Sequence, residues 1–201
     1  MDSRPLAVSD VLLFVPVMHA DERGSFTESY RRDALERATG RTFPLEQMNT
    51  SVSERGVFRG IHYAIVPPGQ AKYVSVLSGS IIDYVVDLRV GSPTFAVWDS
   101  VALDDRDRRS LFIPEGVGHA FLSTDDRAVV SYAVSDIYRP DREFSVSLRG
   151  HEIGEHAAAH SAVPLRLSQR DEEAPTIAEA RAAGRLPDWE QCRARYAELS
   201  P

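Results

Sequence analysis

His62, Lys72, His119 and Tyr132 are four side chains whose types suit proton chemistry, and each sits in or beside a short apolar run. An imidazole titrates near neutrality, a phenol can carry a proton, and a desolvated ammonium attracts developing negative charge. Taken singly, each also has an ordinary role. His62 stands in Phe58-Arg59-Gly60-Ile61-His62-Tyr63, where a lone histidine reads as a satisfied core or surface residue. Lys72 is less ordinary. Strand alternation puts it on the face of Val74 and Val76, so if those valines face the core the lysine points inward, which is rare without a partner. His119 follows the turn Pro114 to Gly118 and precedes Ala120-Phe121-Leu122, a setting at a barrel mouth, and alone it reads as a hairpin histidine facing solvent. Tyr132 shares its parity with Val130 and Val134 and so points inward, for packing as readily as for chemistry.

The elements that must hold these residues are mostly strands. From about Val52 to Val146, runs of Val, Ile, Tyr and Phe alternate with turn signals such as Pro67-Pro68-Gly69, Ser78-Gly79-Ser80, Gly91-Ser92-Pro93 and Thr124-Asp125-Asp126. Such spacing without helical periodicity predicts an antiparallel sandwich or barrel, and a jelly roll fits best. Lys72 to Leu77 and Ile81 to Leu88 are apolar on both parities in places, as expected of strands buried between two sheets. Upstream, Leu6 to Val17 reads as a strand running into a polar turn at Asp21 to Gly24, and Arg31 to Thr39 as a short helix stopped by Gly40. Downstream, Thr176 to Ala183 reads as a helix with a Thr176/Glu179 capping box and Gly184 as its stop, followed by a second helix from Asp188 to about Leu199.

A chain of 201 residues, 43% hydrophobic, predicts one domain with one sizeable core. The net charge of -7 argues against a nucleic-acid footprint. No apolar run approaches the roughly 20 residues needed to cross a bilayer. The lone Cys192 and the absence of a signal-like start predict a cytosolic setting.

Ordered together, the motifs say more than any one of them. Phe58 to Tyr63, Pro67 to Lys72, Val86-Asp87-Leu88-Arg89 on to Phe95, and Phe112-Ile113-Pro114-Glu115-Gly116-Val117-Gly118-His119-Ala120-Phe121 closely resemble the dTDP-4-dehydrorhamnose 3,5-epimerase family. Asp21-Glu22-Arg23-Gly24-Ser25-Phe26 and Leu167-Ser168-Gln169-Arg170-Asp171 match its landmarks too, so the likeness spans most of residues 5 to 188. The resemblance implies a cupin-type double-stranded antiparallel β-helix with short peripheral helices, mainly C-terminal. It also implies a homodimer, a dTDP-4-keto-6-deoxyhexose substrate and no cofactor or metal. By position, His62 matches the family's general base and Asp171 the carboxylate paired with it. Tyr132 falls at the general acid and Lys72 at the cation that stabilises the enolate. Arg23, Phe26, Glu28, Gln47, Asn49, Arg59, His119, Tyr138, Glu143 and Arg170 fall at positions that hold the nucleotide sugar.

The chemistry so implied is self-consistent. Inverting a carbon next to a ketone needs proton carriers on both faces of the ring, and a fixed cation or donor, which Lys72 together with His119 could provide, for the oxygen that gains charge. A carboxylate fixes the base's tautomer, and guanidinium forks on Arg23, Arg59 or Arg170 suit a diphosphate. Two stretches depart from the family pattern. Leu148 to Leu165 replaces tryptophan-containing motifs, which puts the loop over the sugar in question, and Met48 stands between Gln47 and Asn49 where a small or acidic residue is usual. His151, His156 and His160 in the first stretch have spacings suggestive of a metal site, but a solvated, Ala-rich surface segment is the expectation, since nothing completes a coordination shell. Three rivals remain: an enzyme inverting C3 or C5 alone, a metal-dependent cupin, for which His62 lacks the usual second histidine two residues on, and a non-catalytic sugar-nucleotide-binding module.

Overall fold

Alternating apolar segments bury one face only by meeting another layer, and here strands pair into two sheets that do so. The computed structural model describes residues 1–200. The strands are β1 (Asp2–Pro5), β2 (Leu12–Val15), β3 (Met18–Asp21), β4 (Gly24–Thr27), β5 (Gln47–Ser53), β6 (Phe58–Ala64), β7 (Lys72–Ser78), β8 (Ser80–Asp87), β9 (Trp98–Asp104), β10 (Ser110–Ile113), β11 (Val117–Ser123), β12 (Ala128–Val134) and β13 (Glu143–Ser145). The helices are α1 (Arg32–Thr39), α2 (Glu152–His160), α3 (Gln169–Glu172), α4 (Ile177–Ala182) and α5 (Trp189–Glu198). One sheet runs β1-β2-β10-β7-β12-β5, the other β13-β6-β11-β8-β9, and β3 with β4 forms a separate hairpin. The pairings are antiparallel, and sequence neighbours are often not sheet neighbours, which fits the jelly roll that the turn spacing predicts and the double-stranded β-helix that the resemblance implies.

The two large sheets close on a core that includes Val74, Val76, Val85, Leu103, Leu111 and Val130. The both-parity strands have a further reason for their composition. On β8, Val85 faces this inner core while Tyr84 and Val86, with Leu88 just beyond the strand, face outward under Ile153, Ala157, Ala180 and Leu186 of the C-terminal half. On β7, Tyr73 faces outward with Phe14, Leu35 and Phe43. Each sheet therefore has a second apolar layer, and the buried side chains there stabilise the fold by about 1.5–3 kcal/mol each.

Several boundaries differ from the sequence reading. Leu6 to Val17 is not one strand: β2 is preceded by a loop in which Asp10 takes a positive φ of 67°. Val8 and Val11 in that loop are fully buried, so they supplied apolar pattern without being strand. The α1 helix ends as expected at Gly40, in the left-handed conformation, and α4 carries the full Thr176/Glu179 capping box. Asp188 caps α5 by accepting from Gln191 N. The stretch expected to be a solvated surface segment is instead helix α2, whose Ile153 and Ala157 are fully buried. Its histidines have structural partners: His151 Nδ1 accepts from Ile153 N, His156 Nδ1 lies 3.0 Å from the Tyr84 hydroxyl, and His160 Nδ1 lies 2.8 Å from the His156 carbonyl. Among the described residues no helix is long and apolar enough to cross a membrane.

Candidate active site

Alternation would send Arg59 and His62, three apart on β6, to opposite faces. The β6–β11 register prevents this. His62 pairs with His119 and Arg59 with Phe121, so β6 uses one more residue than β11 across the interval. This bulge, at Gly60-Ile61, turns both Arg59 and His62 toward one cavity. Gly60 has a φ of +116°, and a Cβ there would stand 2.6 Å from the His119 carbonyl oxygen, so glycine is required.

The opposite wall comes from the other sheet. Tyr132 pairs with Asn49 and Val134 with Gln47, and alternation gives Gln47, Asn49 and Ser51 the inward face of β5. Met48 points the other way, is exposed, and does not line the cavity of its own chain. Lys72 on β7 shares the inner face of Val74 and Val76, as parity predicts, and is 9% exposed. The cavity, of about 290 Å³, is lined by Gln47, Asn49, Arg59, His62, Lys72, His119, Tyr132, Tyr138, Glu143 and Arg170, and also by Ser51, Tyr63, Gln70, Phe121 and Phe144. The second group was not singled out from the sequence. Gln70 precedes β7, so its only sequence signal is that it stands two residues before the inward Lys72.

His62 is oriented from behind. Its Nε2 lies 2.8 Å from Asp171 Oδ1, and Asp171 sits on α3, whose first turn is capped by Ser168. Ser145 Oγ donates to Asp171 Oδ1 at 3.1 Å and Ser168 Oγ to Oδ2 at 2.8 Å. Burial pushes the Asp171 carboxyl up, but the bonds from His62, Ser168 and Ser145 outweigh it and hold the acid below its ordinary range. With Asp171 ionised, Nε2 must carry the proton, which leaves Nδ1 free to accept one. Burial raises the Tyr132 phenol above its usual value, with Arg59 opposing, so it stays protonated at neutral pH. Burial lowers Lys72 to about 8, against the pull of Glu143 and Glu115. His119 is buried, not solvent-facing, with Nε2 3.0 Å from Asp83 Oδ2. Burial raises the Asp83 carboxyl while His119 opposes the rise.

The remaining polar groups are braced by neighbouring side chains and backbone. Arg170 donates to the Glu143 carbonyl at 2.7 Å, Arg59 Nε to Ser53 Oγ at 3.0 Å, and Tyr138 N to Gln47 Oε1 at 3.1 Å. Three expected substrate contacts are elsewhere. Arg23 lies at the tip of the β3–β4 hairpin, bonded to Asp21; Phe26 is 67% exposed on β4; and Glu28 lies 3.5 Å from Arg31. None of the three lines the cavity of its own chain.

Residues 5–179 match the family profile described as dTDP-4-dehydrorhamnose 3,5-epimerase. A protein of that name from Mycolicibacterium smegmatis is 48% identical over 195 residues, spanning 96% of this chain and 94% of the relative. An epimerase structure from Mycobacterium tuberculosis superposes with a TM-score of 0.92 at 40% identity, covering 99% of this chain and 100% of that one. ChmJ, a 3'-monoepimerase from Streptomyces bikiniensis solved in complex with dTDP-quinovose, gives a TM-score of 0.91 at 39% identity, covering 98% of both chains. Fold and likeness together define a cupin-type epimerase, an isomerase acting on carbohydrate. The chain belongs to the dTDP-4-dehydrorhamnose 3,5-epimerase family.

Proposed function

We propose that this chain binds a dTDP-4-keto-6-deoxyhexose and inverts C3, C5 or both, in deoxysugar biosynthesis. The observation that carries the reading is that His62, held by Asp171, and Tyr132 project into one cavity from opposite sheets. His62 Nδ1 takes the proton from the carbon next to the ketone, and the electron pair moves onto the ketone oxygen as an enolate. Asp171 supports the imidazolium. Lys72, with His119, stabilises the oxygen's charge in a desolvated site. Tyr132 then delivers a proton to the same carbon from the other face, and exchange with solvent restores both groups. The scheme uses side chains alone. Arg59 and Arg170 suit the diphosphate as bidentate donors, with Gln47, Asn49, Tyr138 and Glu143 holding the rest of the nucleotide sugar.

A homodimer belongs to this reading. Strand β5 is a sheet edge, and an edge with apolar neighbours favours pairing. Met48 and Val52 on its outer face are exposed, beside a groove of about 220 Å³ lined by Tyr30, Leu45, Met48, Tyr73 and Leu77. A second copy covering this face would let its Arg23, Phe26 and Glu28 complete the first copy's cavity. A cytoplasmic location fits the buried, unpaired Cys192.

The likeness to a 3'-monoepimerase favours a second reading, inversion at C3 alone. A proton NMR time course in deuterated water with dTDP-4-keto-6-deoxyglucose tests both. Loss of the C3 and C5 signals supports double inversion, and loss at C3 alone supports the narrower reading. His62→Ala should abolish exchange and leave nucleotide binding within about threefold, whereas Tyr132→Phe should retain exchange and lose inversion. Full activity in His62→Ala would remove the base from the scheme.

A further inference from the structure

Gln70 stands two residues before Lys72, just ahead of β7, and both line the cavity. Its terminal amide is engaged on three sides. Nε2 donates to the Asp136 carbonyl at 3.0 Å and to Glu143 Oε1 at 3.3 Å, while Oε1 accepts from Lys72 Nζ at 2.8 Å. Chemistry settles which way the amide points. Turned over, its NH2 would face an ammonium that has nothing to accept with, and its oxygen would face a carbonyl and a carboxylate. Glu143 is itself fixed, since Oε1 also accepts from Arg139 N at 3.2 Å. The Gln70 oxygen is therefore aimed at Lys72 by bonds made elsewhere.

Among the described residues, the bond to Gln70 is the hydrogen bond that Nζ makes. An ammonium has three donors, so two remain for a ligand. Resting on the reading of Lys72 as the cation at the ketone oxygen, we propose that Gln70 is its positioning residue, a neutral acceptor that aims the ammonium at the enolate without cancelling its charge. Neutrality is what distinguishes an amide here. A carboxylate in the same place would hold Nζ as firmly but draw its field away from the substrate oxygen, whereas an amide fixes direction and leaves the full charge for the reaction. The Gln70 bridge also joins Lys72 to Glu143, so the reacting cation and a wall of the sugar site move as one unit.

The charged surroundings of Nζ set the sign of each test. Glu143 on β13 and Glu115 in the β10–β11 turn attract it, and Arg41 and Arg195 stand near Glu115. Tyr132 stands on the neighbouring strand β12, and His62, His119, Arg59 and Arg170 also line the cavity. Glu115, Arg41 and Arg195 make no bond to Gln70, and Glu143 keeps its bond from Arg139 N when Gln70 is changed, so opposite shifts of Lys72 titration in two variants report the group at position 70.

The experiment compares kcat, KM and the pH profile of solvent deuterium incorporation for the intact protein, Gln70→Met and Gln70→Glu. Gln70→Met keeps the volume and removes the acceptor; kcat should fall about tenfold to a hundredfold with KM within about threefold, since misplacing one catalytic group costs rate more than binding. Its alkaline limb should move down by about half a unit to one unit, because the charged form has lost a hydrogen bond. Gln70→Glu should also lose kcat, but its limb should move up by a similar amount, because a negative neighbour favours the ammonium. Opposite displacements are not produced by simple loosening of the fold. Normal kcat in either variant, or a lowered kcat with the limb unmoved or moved the same way in both, overturns the proposal. If one variant does not fold, the other decides by the direction of its own limb. Failure of the intact protein to exchange protons would count against the epimerase reading, whereas an active intact protein with unaffected variants would count against Gln70 alone.

Discussion

Lys72 holds a charge where the fold would prefer none. Burial lowers it from 10.5 to about 8, so between those two values the unfolded chain binds a proton that the folded chain has released. Stability attributable to this group therefore rises as pH climbs from about 8 to 10.5, and at pH 7 the full penalty of the buried ammonium is present. The penalty is of the order of 3 kcal/mol, partly offset by the bond to Gln70. Lys72→Met, similar in volume and uncharged, should thus stabilise the protein by about 1–3 kcal/mol at pH 7 while removing turnover. Urea unfolding at several pH values checks both magnitude and sign: the gain should shrink on going from pH 8 toward 10.5. A variant less stable than the parent at pH 7 would mean that the ammonium contributes to folding, and that its burial is not a functional expense.

At the scale of elements, the site depends on one irregularity in β6. Gly60→Ala would force a side chain into a φ of +116° and against the backbone of β11, with the Ala120 Cα only 2.9 Å away. Strain and overpacking together should cost about 2–4 kcal/mol, a fall in melting temperature of roughly 5–15 °C, and the variant should lose activity because Arg59 and His62 no longer converge. Scanning calorimetry with a turnover assay tests this; a variant with parental melting and parental rate would show that the bulge positions nothing. The same irregularity marks the limit of what the sequence discloses. Lys72 beside Val74, and Tyr132 beside Val130, lie in regular strands, and their inward direction follows from alternation alone. Arg59 and His62 do not obey that rule, because a bulge changes parity and leaves little trace beyond a glycine. Asp171 reaches His62 across 109 residues, and only the resemblance to known epimerases pointed to it. Helix α2 was hidden for another reason: its three alanines favour helix, but alanines and histidines give a weak apolar period, and burial of Ile153 and Ala157 is what docks it on the sheet.

For the whole molecule, the decisive fact is that the cavity of one chain lacks three residues expected to hold the substrate. Arg23, Phe26 and Glu28 lie on or beside the β3–β4 hairpin, outside that cavity, and a Phe that is 67% exposed beside an unpaired strand edge invites a partner. If a second copy supplies them, two different defects can complement. His62→Ala has an intact hairpin and no base, while an Arg23→Ala/Phe26→Ala chain has an intact base and a defective hairpin. Each alone should be nearly inactive. Mixed, unfolded together and refolded at equal concentrations, they should form heterodimers in which one of the two cavities has both a native base and a native hairpin. Random pairing makes about half the dimers mixed, each with one good site in two, so about a quarter of parental activity should return. The assay is solvent deuterium exchange before and after mixing, with light scattering to confirm that the dimers form. Scattering that reports monomers, or mixed dimers that stay inactive, would show that each hairpin serves only its own chain, and the cavity would then have to hold its ligand with the residues of a single copy.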